Sequence, residues 1–357
     1  MTKIHKVKNK AKYQILYDQL RSDITAGSYK VGQAIPSQQH LTQLYGVSLS
    51  TVRQALQLLQ NDKLIRLEHG RGAYVQKPDN EYDRQIYRRK TSIGMAICEP
   101  MPSEPAYMMM LRGATSVLQE VGKDLTFAMF RLEEIEKSSV LTDFAKDLDG
   151  LIITGHISSS LITSLDGHIN KIVIAGYPLE KIDGNFFSYV TCDAESAGYM
   201  AAQLLLTHGH KRVGLIGSAE NLYHQTIQAG FRHACEDAQI SPPDFFLSNK
   251  SSKDEIIAKE IADRNDLSAL VVVNDEKSCR FISLLESYGC SVPADKSIVS
   301  IGGLPRNTLP RPGLARIGTN LEAIGTESAK ILLQNNYYIT NKMLPVQIEC
   351  GDTLARI

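Results

Sequence analysis

The stretch "VSLSTVRQAL", Val47–Leu56, decides how the first 77 residues fold. Val52, Ala55 and Leu56 recur at three- and four-residue spacing and define one buried helical face. Ser48, Ser50, Thr51 and Arg53 project elsewhere, short and polar around one long cation. Most polar helix faces are simply solvated, so the neighbouring residues must show whether this one reads anything. Upstream, Tyr13, Leu16, Tyr17, Leu20 and Ile24 share a helical period, and Gly27 follows as a stop. "IPSQQHLTQLYG" then offers Ser37 as an N-cap, with Leu41, Leu44 and Tyr45 facing inward and Gly46 ending the helix. Ser48 can cap the next helix, so two short helices meet at a tight glycine turn, a helix-turn-helix. "LIRLEHGRGAYV" supplies two β-prone arms around His69–Gly72, which reads as a hairpin wing. The N-terminal residues of the second helix in such a motif enter the DNA major groove. Hydroxyls and an arginine fork suit phosphates and guanine edges there.

Charge agrees with that reading. The chain is formally neutral, yet residues 1–78 hold 12 Lys and Arg against 4 Asp and Glu, while the remainder holds 27 against 35. A basic module for a polyanion is thus joined to a mildly acidic globule. At 357 residues the chain has room for two domains, and its 43% apolar, 22% charged composition is ordinary for a soluble protein. No run approaches the roughly 20 apolar residues of a membrane span, and the polar N-terminus lacks a signal-peptide core, so a cytoplasmic location is expected. Six scattered cysteines without a C-x-x-C pair suggest buried, reduced thiols, with neither a metal nor a disulfide framework.

The segment from Ala11 to Lys77 resembles the winged-helix domain of GntR-type bacterial regulators, with the skeleton "PS…L…YGVS..TVR.AL..L…G.G.YV" continuous and correctly spaced. The resemblance implies a DNA-contacting set of Ser37, Gln38, Ser48, Ser50, Thr51 and Arg53, with Gly70, Arg71 and Gly72 in the wing. Two departures stand out, because the family commonly carries Arg at the positions of Gln39 and Leu49. Gln39 suits adenine or a phosphate and Leu49 a thymine methyl, which implies a different operator rather than lost binding.

After a polar linker, residues 78–92, short apolar runs alternate with helical patterns. The runs are "SIGMAI", "LTFAMF", "GLIIT", "KIVIAG", "RVGLIG", "DFFLS", "ALVVVN" and "SIVSIG"; the helices are placed at 107–121, 135–148, 196–208, 226–239, 254–264 and 276–288. Such alternation implies an α/β class with doubly wound parallel sheets and a ligand cleft at their carboxyl ends. An α/β enzyme is the competing reading, but no G-x-G-x-x-G, P-loop, G-x-S-x-G or H-E-x-x-H spacing is present, and no catalytic, cofactor or metal residues are assigned. His208 and His210 read as helix-end packing.

"VTCDAESAGYMAAQLLLTHGHKRVGLIG", "ALVVVNDEKSCRF" and "PGLARIGTNLEAIGTESAKILL" are similar to the effector domain of LacI/GalR-type repressors. This resemblance implies a two-lobed, periplasmic-binding-protein-like fold over residues 93–357, with three crossovers, a cleft and dimerisation. A GntR-type head on a LacI-type body is the arrangement of arabinose-type repressors. Asp193 and the Asn274–Asp275 pair fall on ligand positions of the family; Tyr107, His156, Tyr177 and Tyr223 are further candidates, each of which could equally be core. Two sugar clamps are replaced: Ile227 stands for an Arg and Gly302 for an Asp. The expected protein is a homodimeric transcription repressor that binds operator DNA and a small-molecule effector, a sugar by resemblance. The rivals are a small-molecule sensor without specific DNA binding and an α/β enzyme.

Overall fold

The computed structural model describes residues 11–25, 28–68, 72–76, 92–98, 105–137, 139–178, 180–182, 186–219, 221–247, 253–334 and 338–357. The chain divides into two compact units, Met1–Ser92 and Ile93–Ile357. The expected linker lies almost wholly outside the described residues, as do Gly27 and the wing residues Gly70 and Arg71.

The first unit contains α1 (Lys12–Thr25), α2 (Gln38–Tyr45), α3 (Leu49–Asn61) and the antiparallel pair β1 (Ile65–Glu68) and β2 (Gly72–Val75). Local chemistry sets the helix boundaries. Ser37 caps α2 by accepting from the His40 N–H, and Gly46 ends it at φ 64°, a left-handed conformation that suits glycine. Ser48 caps α3 by accepting from Thr51 N–H. Val52, Ala55, Leu56 and Leu59 pack with Leu16, Leu20, Leu41 and Val75 into one core. Leu44, expected inside, is 40% exposed, whereas Leu41 of its helix is buried in that core and Tyr45 packs half-buried against it. The segment before α2 braces the wing: Ile35 N–H donates to Ala73 O at 2.9 Å and Val75 N–H to Gln33 O at 2.9 Å.

The second unit holds two six-stranded sheets. In the first lobe the order is β13-β7-β6-β5-β3-β4, formed by β3 (Ile93–Cys98), β4 (Leu125–Phe130), β5 (Gly150–Gly155), β6 (Ile172–Ala175), β7 (Ser188–Cys192) and β13 (Asn341–Leu344), all parallel. In the second the order is β14-β12-β11-β10-β8-β9, from β8 (Val213–Gly217), β9 (Asp244–Leu247), β10 (Ala269–Val273), β11 (Ser297–Gly302), β12 (Arg316–Gly318) and β14 (Gln347–Glu349). Only β14 runs antiparallel to its neighbour. Strands such as β3 and β10 are buried along their whole length, as parallel sheets covered on both faces require.

The helices are α4 (Pro105–Glu120), α5 (Leu132–Lys137), α6 (Val140–Ala145), α7 (Ser159–Ser164), α8 (Ala194–Thr207), α9 (Leu222–Asp237), α10 (Asp254–Ala262), α11 (Asp275–Ser287) and α12 (Leu321–Leu333). The single helix expected at 135–148 is two short ones, α5 and α6, with serines at 138 and 139 between them. The chain crosses between lobes three times, from β7 to α8, from β12 to α12, and from β13 to β14. A helix pair lies on one face of each sheet: α4 with α12, and α8 with α9. Both pairs meet at glycines. A Cβ on Gly113 would strike the Glu322 carbonyl and one on Gly325 the Met110 carbonyl; Gly198 and Gly230 stand likewise against the carbonyls of Ile227 and Glu195.

Candidate functional site

On the first unit, the caps that start α2 and α3 also display the polar face. Ser37, Gln39, Ser48, Leu49, Ser50 and Arg53 are exposed, and Gln38 and Thr51 are half-buried. The Ser48 hydroxyl lies 2.9 Å from that of Ser50 and 2.8 Å from that of Thr51, so three hydroxyls cluster at the first turn of α3. Arg53 Nε donates to Gln38 Oε1 at 3.3 Å, a neutral partner, and no carboxylate pairs with the guanidinium among the described residues. Gly72 opens β2 at φ 117°, where a Cβ would meet nothing but the backbone itself would be strained.

In the second unit a cavity of about 300 Å³ opens at the carboxyl ends of both sheets. That is where doubly wound folds place ligands, and the volume is at the lower end for small-molecule pockets. The first lobe supplies Tyr107, Thr154, His156 and Tyr177; the second supplies Asn221, Tyr223, His224, Asn274 and Asp275. Tyr177 and Tyr223 meet across the lobes with ring centroids 5.3 Å apart. The Tyr177 hydroxyl donates to Cys192 O at 3.0 Å, and burial pushes the Cys192 thiol up to about 11, so it stays protonated.

Six of the seven ligand candidates therefore line one cavity. Asp193 does not: its carboxylate caps α8, accepting from Ser196 N–H at 3.0 Å and Ser196 Oγ–H at 2.7 Å. Asp275 lines the cavity, but its carboxylate is fully engaged beneath it. It accepts from Ser300 Oγ–H at 2.7 Å, Leu304 N–H at 2.9 Å and the Arg316 guanidinium at 3.1 Å, and Arg316 also pairs with Glu349 at 3.0 Å. Asn274 sits at φ 90°, a left-handed conformation costly for a residue with a Cβ, while its side chain accepts from Lys277 N–H at 3.1 Å. Strain of this kind concentrates at functional sites.

The two replaced sugar clamps now have physical reasons. A Cβ at Gly302 would collide with the Asp275 carboxylate, so no side chain can stand there. Ile227 is fully buried in the core between α8 and α9 and does not reach the cavity. One turn earlier on α9, Asn221 and His224 take the cavity positions. The periodicity of residues 226–239 missed them because α9 begins a turn sooner, capped by Asn221, which accepts from Tyr223 N–H at 2.8 Å and His224 N–H at 3.4 Å. His224 Nδ1 accepts from Ser218 N–H at 2.9 Å. Burial, then the charge of Lys277, lowers His224 to about 4 and keeps the ring neutral. His208 and His210 sit where helix-end packing expects them: His208 Nδ1 is 2.8 Å from Leu204 O, and His210 bridges Ser268 and Ala355. No cluster of three or more His, Cys, Asp or Glu suited to a metal occurs among the described residues.

A winged helix-turn-helix joined to a two-lobed ligand-cavity domain defines a transcriptional regulator. Residues 12–75 match the family described as bacterial regulatory proteins, gntR family, and residues 202–343 match the periplasmic binding protein-like domain. Along nearly its whole length the chain is similar to an arabinose metabolism transcriptional repressor of Geobacillus stearothermophilus, at 26% identity over 92% of each chain. Among solved structures, a LacI family regulator from Enterococcus faecium with bound ribose shares the fold at TM-score 0.63 and 23% identity, covering 74% of this chain and 99% of that one. A lac repressor dimer bound to operator shares it at TM-score 0.64 and 17% identity, covering 78% and 99%. These relatives are regulators, not enzymes.

Proposed function

We propose that this chain is a ligand-responsive repressor that binds operator DNA as a homodimer and releases or repositions on it when an uncharged sugar fills the interlobe cavity. The observation that carries the reading is the union, in one chain, of an exposed hydroxyl-and-arginine helix face with a cavity walled by both lobes. Residues 1–77 act as the head, 78–92 as the linker and 93–357 as the effector domain. In the head, Ser37, Gln38, Gln39, Ser48–Thr51, Arg53 and the wing at 70–72 form the DNA face. In the cavity, Tyr107, His156, Tyr177, Tyr223 and Asn274 touch the ligand, and Asp275 supports them from below. The protein works where the DNA is, in the cytoplasm; no described helix is long and apolar enough to cross a membrane.

Dimerisation has a matching surface. Phe127 and Met129 on β4 are 51% and 39% exposed, and Leu247 on β9 and Ile256 on α10 are 39% and 69% exposed. Strands β4 and β9 are the corresponding edges of the two sheets, so both lobes present apolar side chains at equivalent places, as a self-complementary interface requires.

The test is fluorescence anisotropy of operator DNA against full-length protein across a salt series, with and without L-arabinose. Affinity should fall steeply with salt as counterions leave the phosphates. Arg53→Ala should weaken it by roughly 1–3 kcal/mol. Sugar and operator should weaken each other by the same factor, a coupling of about 1–3 kcal/mol. Salt-independent binding together with an inert Arg53→Ala defeats the DNA assignment.

A further inference from the structure

Three side chains on the second-lobe wall of the cavity share one property. Each has its acceptor atom tied to a backbone N–H. Asn221 Oδ1 takes Tyr223 and His224 N–H, His224 Nδ1 takes Ser218 N–H, and Asn274 Oδ1 takes Lys277 N–H. Those contacts settle the chemistry of the opposite ends. An amide whose oxygen meets an N–H presents its NH₂ at the other end, and a neutral imidazole that accepts at Nδ1 carries its proton at Nε2. For Asn221 and His224 those donor ends have no protein partner among the described residues, and both residues line the cavity. Glycine makes room for this seating: a Cβ on Gly217 would press to 3.2 Å from His224 Nδ1. Among the described residues no Lys or Arg lines the cavity, and its carboxylates are the engaged Asp275 and the exposed Glu276.

We infer that Asn221 and His224 act as a pair of fixed hydrogen-bond donors that read acceptor oxygens on one face of an uncharged sugar, taking the place of the charged clamps that Ile227 and Gly302 lack. The inference rests on the sugar reading above and adds to it which residues discriminate and in which direction they bond. A phosphorylated sugar is rejected because, among the described residues, no cation lines the cavity to replace the water lost by the anion. A ligand group that can only donate is rejected at this wall, because it meets a second donor.

The experiment is calorimetry of L-arabinose, D-ribose and D-ribose 5-phosphate on the full-length protein and four variants. Asn221→Asp keeps a good N-cap but turns the donor into an acceptor. His224→Asn keeps the acceptor that holds Ser218 but its shorter side chain draws the donor back from the position of Nε2, whereas His224→Gln places an amide donor near that position. Asn221→Ser, an uncharged cap with shorter reach, controls for the charge of the aspartate. Melting curves confirm that each variant folds. For whichever neutral sugar binds wild type, Asn221→Asp, Asn221→Ser and His224→Asn each lose about tenfold or more, while His224→Gln retains most of the affinity; the phosphate ester does not bind. Equal affinity across all folded variants, or phosphate-ester binding as tight as that of the neutral sugar, overturns the donor pair while leaving the sugar reading intact. Failure of both neutral sugars to bind wild type overturns the sugar reading and this inference together.

Discussion

In the first lobe, the strand ends that meet the cavity are joined by a neutral contact: Thr154 Oγ–H donates to Ala175 O at 2.6 Å beside Met110. In the second lobe, the matching strand ends lie over Asp275, Arg316 and Glu349, with Ser300 and Arg306 completing a charged network. The two sheets have equivalent strand orders and the same glycine-tight helix pairs. Topology thus places the cavity but does not choose its chemistry. The lobe richer in charge keeps Asp275 paired beneath the cavity, and Glu276 is the exposed carboxylate among the described lining residues.

The largest expected effect tests that asymmetry. Asp275→Ala leaves buried Arg316 with Glu349 as its one carboxylate and takes the acceptor from the Ser300 hydroxyl and Leu304 N–H, so it should cost about 3 kcal/mol in denaturant unfolding, whereas Thr154→Val in the first lobe should cost only about 1 kcal/mol. Similar costs at both positions would erase the distinction between the floors.

The glycine pairs test the shared plan instead. Gly113→Ala and Gly198→Ala each drive a methyl into a facing carbonyl, and each should cost roughly 1–3 kcal/mol as the helices are forced apart. Markedly unequal losses in melting temperature would show that the two helix pairs do not bear equivalent strain. Smaller again is the coupling across the cleft. A double-mutant cycle of Tyr177→Leu and Tyr223→Leu should return about 0.5–1.5 kcal/mol for the ring pair; strict additivity would mean the lobes do not communicate through it.

A separate effect is read in mild acid. An unfolded histidine protonates near pH 6.5, while folded His224 resists until about pH 4. The unfolded state therefore binds the extra proton in this window, and stability falls as pH drops from 6.5 towards 4 but is untouched above it. Thermal melts of His224→Asn should decline less steeply than wild type there. Parallel slopes would mean the wild-type ring is already charged.

Much of this was legible in the sequence wherever the cause is local. Ser37, Gly46 and Ser48 punctuate the head through caps within four residues, and buried parallel strands announce themselves as apolar runs. The cavity floor was not legible, because Asp275 finds Arg316 across 41 positions and no periodicity links them. Asp275 and Asp193 both looked like ligand groups because a carboxylate at a strand end has the same sequence signature whether it faces a ligand, an arginine or a helix cap. Asn221 and His224 were hidden for another reason: polar residues on a first helical turn do not extend the apolar stripe that reveals the helix.

The three crossings between lobes also govern which parts of such a protein can be traded. Residues 93–192 alone would lack helix α12 and strand β13, and the second lobe would lose β14 if the chain were cut before residue 341. Neither lobe is a contiguous segment, so recombination cannot exchange one without breaking both. The head, by contrast, lies within one uninterrupted stretch, Met1–Ser92. A single junction is enough to graft it onto a different sensor, so specificity for DNA can be reshuffled whole while specificity for the ligand must change one residue at a time.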